Sequence, residues 1–170
     1  MKGYSETAAY EFAIAYAKLL LGKDKIDNGL ENDAKKIIAR AAIKTQDFTT
    51  AKTYYAAIEK TANGALKAEA LYYNAFFKNK QKEYEASNAT IQELIAGYTT
   101  YKYWAVKSYV IMGENYYALN DIYQATFVLE NIIKNFKEFE DIQKDTQKVL
   151  NTIKENQAKI NNSVTPEKKN

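Results

Sequence analysis

An internal repeat is the feature that most limits what this chain can fold into. One alignment of three segments between residues 31 and 136 brings Ala39, Ala75 and Gly113 into register. The same alignment superimposes three further sets: Phe48, Tyr84 and Ile122; Ala51, Ser87 and Ala125; and Tyr55, Ile91 and Leu129. Equivalent small residues lie 36 and then 38 positions apart. Periods of this length are typical of helical arrays, in which each unit buries its apolar face against the next unit.

Apolar spacing inside each unit indicates a pair of helices. Between Glu31 and Thr45 the apolar residues recur at intervals of three and four, which is typical of an amphipathic helix, and five similar runs follow as far as Phe136. A single proline and six glycines in 170 residues leave little material for the tight turns of an all-β fold. We therefore predict an all-α chain of helix pairs, with short gaps inside the pairs and slightly longer gaps between them. Asn63 and Gly64 are predicted to end the second of these helices.

Both flanks of the repeats are predicted to contain a helix. Residues 4–21 form an apolar run that suits the second helix of a pair whose first helix is missing, and residues 22–33 are predicted to be a solvated loop. Residues 138–161 indicate a long polar helix with one narrow apolar stripe, as expected of a helix that caps an array. We expect one domain over residues 1–162, with repeats at about 31–61, 65–97 and 102–136, a cap at 138–161 and a disordered tail at 163–170.

Gly113 lies in the middle of the apolar, helix-forming run "SYVIMGENYYALNDIYQA". Glycine at such a position costs about 0.5–1 kcal/mol relative to alanine. Because Ala39 and Ala75 occupy the same position in the other units, we expect this small residue to let the second helix of the pair approach closely, so that packing offsets the cost. The alternative is a surface glycine in a frayed helix.

This pattern resembles the tetratricopeptide repeat (TPR) family, which places a small residue midway along the first helix, an aromatic residue at the turn and another small residue early in the second helix. The third unit matches best, through Tyr109, Gly113, Tyr116, Ala125 and Leu129. In the other two units Ala39 and Ala75 replace the glycine, and Lys78 stands where an apolar or small residue is usual. The closing proline of the family is absent from all three units.

The resemblance implies an all-α, right-handed helical-hairpin solenoid (a TPR-like superhelix) with a C-terminal capping helix, in which the first helices line a concave surface. The positions expected to point into that surface, and therefore to bind a partner, are Lys36, Arg40, Lys44, Tyr72, Phe76, Lys80, Lys107, Glu114 and Tyr117. The alternative is an ordinary solvated face, with Tyr72 and Phe76 buried against a neighbouring helix.

The first three of these positions predict the chemistry of the partner. Lys36, Arg40 and Lys44 recur at intervals of four, so they share one face of a helix. We expect that no acidic residue on this face neutralises them. With Tyr72 and Phe76 on the adjoining helix, they predict a peptide that carries an acidic segment beside an apolar anchor.

The segment "YKYWAVKSYVIMGENYYALNDIYQATFVLENIIKNF" carries a closer resemblance. It is similar to the last repeat of long multi-repeat TPR proteins common in Bacteroidetes, which share a tyrosine-tryptophan opening before the final helix pair and a charged cap. Those proteins generally carry export signals. The resemblance implies a C-terminal fragment that faces the periplasm; without it, a cytoplasmic location is expected.

Composition argues against several other classes of protein. The chain has no histidine and no cysteine, so the commonest general base and the commonest soft metal ligands are both missing. No nucleotide-binding or nucleophile motif is present, and the carboxylates of "ENDAKK", "KEYEAS" and "KEFEDIQKD" are typical of solvated faces. We predict no catalysis, no metal and no cofactor. A net charge of +3 does not suggest a nucleic-acid partner. The sequence contains no run of about 18 apolar residues, so we predict no membrane insertion.

Together these features predict a non-catalytic protein–protein interaction scaffold that holds a peptide or a partner protein in its concave groove. The alternatives are a structural spacer within a larger envelope-associated TPR protein and, from another class, a glycan-binding or enzyme-associated module. The sequence does not predict an oligomeric state.

Overall fold

A computed structural model describes residues 2–23 and 25–164, with side chains for 9–23 and 25–161. Within these residues the chain forms eight α-helices and no β-strand, so the all-α prediction is confirmed. The helices are α1 (Lys2–Leu21), α2 (Asn28–Lys44), α3 (Phe48–Thr61), α4 (Gly64–Lys80), α5 (Tyr84–Gly97), α6 (Lys102–Ala118), α7 (Ile122–Asn135) and α8 (Glu140–Val164). Each helix packs against the next one along the chain, and α6 also packs against α4 and α8.

The helices α2 to α7 form three pairs of the same design. The first helix of each pair has 17 residues and the second has 14. Each turn inside a pair contains one residue with a left-handed φ of 61–64°: Gln46, Lys82 and Asn120. The next amide in each turn, from Asp47, Glu83 or Asp121, donates to a carbonyl five residues earlier at 2.8–2.9 Å. This bond satisfies a carbonyl that the helix end leaves without a partner, so the three turns close by one mechanism.

The links between pairs explain why the repeat period changes. Two residues, Ala62 and Asn63, separate α3 from α4, whereas the four residues 98–101 separate α5 from α6. The two extra residues lengthen the period from 36 to 38. Our expectation of longer gaps between pairs is therefore right for α5–α6 and wrong for α3–α4. Gly64 permits the tighter link because it adopts a φ of +61°, and it begins α4 instead of simply ending α3.

Three of the four aligned sets of repeat positions are buried in every unit, whereas the set at the turn is not: Phe48 is exposed, and Tyr84 and Ile122 are half-buried. Both predicted small residues of the first helices, Ala39 and Ala75, have no exposed surface, and Gly113 is also buried. The aligned second-helix residues are fully buried as well: Ala51, Ser87, Ala125, Tyr55, Ile91 and Leu129. The Ser87 hydroxyl donates to the Ala75 carbonyl at 2.8 Å, so these small residues lie where the two helices of a pair touch.

The two helices of the third pair approach closely at Gly113. A methyl group built on Gly113 would lie 2.6 Å from Leu129 Cγ and 2.7 Å from Leu129 Cδ2. Alanine at this position would therefore overlap the second helix. The close-approach prediction is confirmed, and the alternative of a surface glycine is wrong.

The flanking helices extend the array at both ends. Helix α1 packs on α2, and α2 begins earlier than expected because the Asp27 carboxylate accepts the Gly29 and Leu30 amides at 2.7 and 3.3 Å. The loop predicted over residues 22–33 is therefore too long, because α2 already begins at Asn28. At the other end α8 buries one stripe, including Ile142, Leu150 and Ile153, against α6 and α7. It continues to Val164, beyond the predicted end at 161, and the rest of the predicted tail lies outside the described residues.

A fully buried amide ties three helices together. The Asn115 side chain donates to Ser87 Oγ at 2.9 Å and to Asn88 Oδ1 at 2.8 Å, and it accepts from the Asn79 amide at 2.8 Å. All of its partners lie on α4 and α5, while Asn115 itself lies on α6. Because each buried polar atom is satisfied, this network fixes the second pair against the third without an unpaired group.

Candidate binding groove

Helices α4, α6 and α8 enclose an open groove of about 430 Å³. Six of the nine predicted partner-binding residues line it: Tyr72, Phe76, Lys80, Lys107, Glu114 and Tyr117. The groove arises because α4 and α6, the first helices of the second and third pairs, pack against each other, and α8 packs on α6. Residues spaced by three or four along each helix therefore face one another across it.

The floor of the groove is apolar and aromatic. Tyr72 is 8% exposed, and its ring lies 5.3 Å from that of Trp104. Phe76 is half-buried one turn along α4, and Val110 and Ile111 of α6 continue the floor. The alternative was that both rings are buried against a neighbouring helix. This is largely true of Tyr72, whereas Phe76 is only half-buried. Both rings still line the groove.

Tyr72 also supplies a polar atom to the floor. Its hydroxyl makes no hydrogen bond to any described residue, although it is not sealed from solvent. Burial raises the pKa of Tyr72 well above the ordinary value for tyrosine, so the hydroxyl keeps its proton at neutral pH. A bound molecule would therefore meet a hydrogen-bond donor or acceptor at the bottom of an otherwise apolar surface.

Glu114 places a carboxylate in the groove without a partner. The side chain is half-buried on α6 and forms no hydrogen bond or ion pair with the described residues. Burial raises its pKa, Lys80 opposes this by lowering the pKa, and Asp145 raises it further. The Lys80 ammonium itself lies 5.2 Å from the centre of the Phe76 ring.

Lys107, at the other end of the groove, is already engaged. Its ammonium donates to the Tyr103 hydroxyl at 2.8 Å, and that hydroxyl donates to Asp141 at 2.7 Å. The ammonium also lies 3.5 Å from the Asp141 carboxylate and 5.8 Å from the centre of the Tyr72 ring. Burial opposes the charge of Lys107, but Tyr103 and Asp141 together raise its pKa.

Helix α8, which the sequence predicted only as a cap, forms one wall of the groove. It contributes five residues to the lining: Asp145, Lys148, Val149, Thr152 and Ile153. Their spacing of three and four places them on one face, beside the buried stripe of the helix. That periodicity was visible in the sequence. Only the packing of α8 against α6 shows that this face borders the groove.

The three remaining predicted residues lie outside the groove lining. Lys36 pairs with Asp33 at 2.5 Å, and Arg40 donates to both carboxylate oxygens of Glu69 at 2.8 and 2.5 Å. Lys44 is exposed on the same helix. The expectation that no acidic residue neutralises this strip is therefore wrong, because Asp33 lies one turn away on α2 and Glu69 comes from the next pair.

The Arg40–Glu69 contact is structural. Glu69 is 2% exposed and also accepts the Tyr55 hydroxyl at 2.8 Å, so its charge is compensated from two helices. The two hydrogen bonds to Glu69 raise the pKa of Arg40 despite its partial burial. Arg40 thus joins the first pair to the second.

The described residues contain neither a cluster of three or more acidic side chains able to hold a metal ion nor a helix long and apolar enough to cross a membrane. No family model, curated protein or solved structure matches the chain. The resemblance to TPR proteins therefore stays a prediction.

Proposed function

We propose that this chain is a non-catalytic protein–protein interaction scaffold, a TPR-like right-handed solenoid whose α4–α6–α8 groove holds a segment of a partner protein. One observation carries the proposal: six of the nine residues predicted to bind a partner line one groove, although they come from two different repeats. The first helices of the second and third repeats thus present these residues to a common side.

The solenoid architecture is supported by the way the core is distributed. Buried residues fall into successive clusters, one shared by α2, α3 and α4, the next by α4, α5 and α6, and the last by α6, α7 and α8. Each pair thus contacts its neighbours only, as in repeat proteins that stack in one dimension. Repeated stacking of this kind leaves the first helices on one side of the array, where extended binding surfaces form.

The groove has the anatomy of a peptide-binding surface. Aromatic and aliphatic side chains form a floor that can bury an anchor residue, and charged side chains of Lys80, Asp145 and Lys148 stand at its exposed margin. An extended or helical segment binds such surfaces through a few buried side chains, while the polar margin sets its position.

A blocking variant tests this function. Thr152 is exposed and lines the groove, so Thr152→Phe should fill it without disturbing the core. Asn151→Phe places the same ring one residue away on an exposed position outside the lining. A displayed library of random 12-residue peptides, about the length that spans a helical groove, is selected on the unmodified chain. The selected peptides should lose binding to Thr152→Phe and keep it for Asn151→Phe.

The opposite result favours the spacer alternative. If selection yields no peptides, or if both phenylalanine variants bind them equally, the groove is not the functional surface. A specific observation supports that second candidate: α1 exposes Phe12, Tyr16 and Leu19, each by at least 67%, on a face that α2 does not cover. Such a face suits a further helix of a longer array. The envelope location implied by the resemblance belongs to this candidate and stays a prediction.

A further inference from the structure

We propose that the α4–α6–α8 groove selects a segment in which a lysine or arginine side chain lies next to an apolar one, with the cation paired to Glu114. This inference rests on the proposed function, because it assumes that the groove binds a peptide segment. It replaces the acidic segment expected from Lys36 and Arg40, whose charges are already compensated by Asp33 and Glu69.

Among the carboxylates near the groove, Glu114 is the one that is half-buried and has no hydrogen bond or ion pair. Asp141 accepts from Tyr103 and lies beside Lys107, and Glu69 is held by Arg40 and Tyr55. Asp145 is exposed at the margin and can be hydrated. Glu114 is half-buried among apolar side chains and has neither a hydrogen bond nor an ion pair. A charge in such surroundings is costly until a donor reaches it, so an incoming cation gains a stronger interaction there than in water.

The lysines of the groove do not supply that donor. Lys107 is engaged at the opposite end by Tyr103 and Asp141. Lys80 lies over the Phe76 ring and Lys148 is exposed on α8, and neither forms an ion pair with Glu114. A carboxylate placed in the groove would instead meet Glu114 as a like charge, with the desolvation cost added. The half-buried charge that stays without a partner in the groove is therefore the negative charge of Glu114.

The apolar part of the segment follows from the floor. Val110, Ile111 and Val149 line the same groove as Glu114 with aliphatic surface, and the rings of Tyr72 and Phe76 extend it. A leucine or similar side chain beside the cation would bury apolar area on this floor. The hydrocarbon stem of lysine or arginine would lie along the same surface, with only its charged end at Glu114.

Three probe peptides test the charge preference. Each is acetyl-Gly-Leu-Xaa-Leu-Gly-amide, with lysine, glutamine or glutamate at the middle position. The chain contains a single tryptophan, Trp104, which lies against Tyr72, so its fluorescence reports on the floor of the groove. The lysine peptide should bind about tenfold more tightly than the glutamine peptide, the ratio that one charge-assisted hydrogen bond provides. The glutamate peptide should bind most weakly.

Glu114→Gln keeps the shape of the side chain and removes the charge, so it should erase the preference for lysine while leaving the glutamine peptide unaffected. Glu155→Gln makes the same change of net charge on an exposed residue of α8 outside the groove, and it should keep the preference. Helix content measured by circular dichroism confirms that both variants are folded.

The outcomes distinguish a failure of this inference from a failure of the proposed function. Equal binding of the three peptides, or a lysine preference that survives in Glu114→Gln, overturns the inference. If Thr152→Phe still abolishes that binding, the groove remains the binding surface and the proposed function stands. If none of the three probes binds, the inference is also overturned, and the display selection alone then decides whether the proposed function is retained.

Discussion

Substitution of Gly113 by alanine tests the packing that joins the two helices of a repeat. In an exposed helix the change would stabilise by about 0.5–1 kcal/mol, because alanine has the higher helix propensity. Here the new methyl group would lie 2.6 Å from Leu129 Cγ, well inside contact distance. Leu129 is fully buried, so it cannot swing away, and overpacking of this kind costs about 1–3 kcal/mol. We expect a net loss of roughly 0.5–2 kcal/mol for Gly113→Ala, and at least as large a loss for Gly113→Leu.

A matched glycine and a double-mutant cycle make the test specific. Gly97 is the last residue of α5, and a methyl group there would meet nothing within 4 Å, so Gly97→Ala should be neutral or slightly stabilising. Leu129→Ala alone should cost about 2–5 kcal/mol as a buried truncation. In the Gly113→Ala background it should cost at least about 1 kcal/mol less, because the methyl group then occupies part of the vacated space.

Urea denaturation followed by circular dichroism gives the free energies of unfolding for all of these variants. If Gly113→Ala is as stable as the unmodified chain, or if its effect simply adds to that of Leu129→Ala, the assigned contact between the two helices is wrong. The repeat register that predicted this contact would then lose its main support.

Three further perturbations follow from particular contacts. Arg40→Ala should lower the free energy of unfolding by about 1–3 kcal/mol, because it leaves the buried Glu69 with one partner. Lys44→Ala on the exposed surface should have little effect, and thermal melts compare the two variants. Burial raises the pKa of Glu114, so its charged form destabilises the fold above that pKa. Glu114→Gln should therefore be more stable than the unmodified chain at pH 7. Urea titrations should show that this gain shrinks as the pH falls and Glu114 becomes protonated. Deletion of residues 138–170 should expose Val110, Leu129 and other residues of the last cluster and cause aggregation, which light scattering detects; a soluble, equally stable product would contradict the role of α8 as a cover.

Local sequence determined the helices and their grouping into pairs. Apolar residues at intervals of three and four specified each helical face, and the repeat register identified Ala39, Ala75 and Gly113 as the close-contact positions. These features depend on residues within one pair, so the pattern along the chain contains the information. The errors were also local: Asp27 begins α2 earlier than its apolar periodicity suggested, and Gly64 begins α4 through a left-handed φ.

Only the tertiary structure decided which charged residues stay free. Arg40 lies on a face that the sequence indicated to be cationic, but Glu69, 29 residues further along, neutralises it from the next pair. Glu114 stays unpaired because no donor reaches it from α4 or α8. Likewise, the groove exists because the face of α8 beside its buried stripe packs next to α6. Helical periodicity assigns a residue to a face of its own helix. Which side chain becomes its partner depends on the neighbouring helix, because packing between pairs decides which side chains come within a few ångströms.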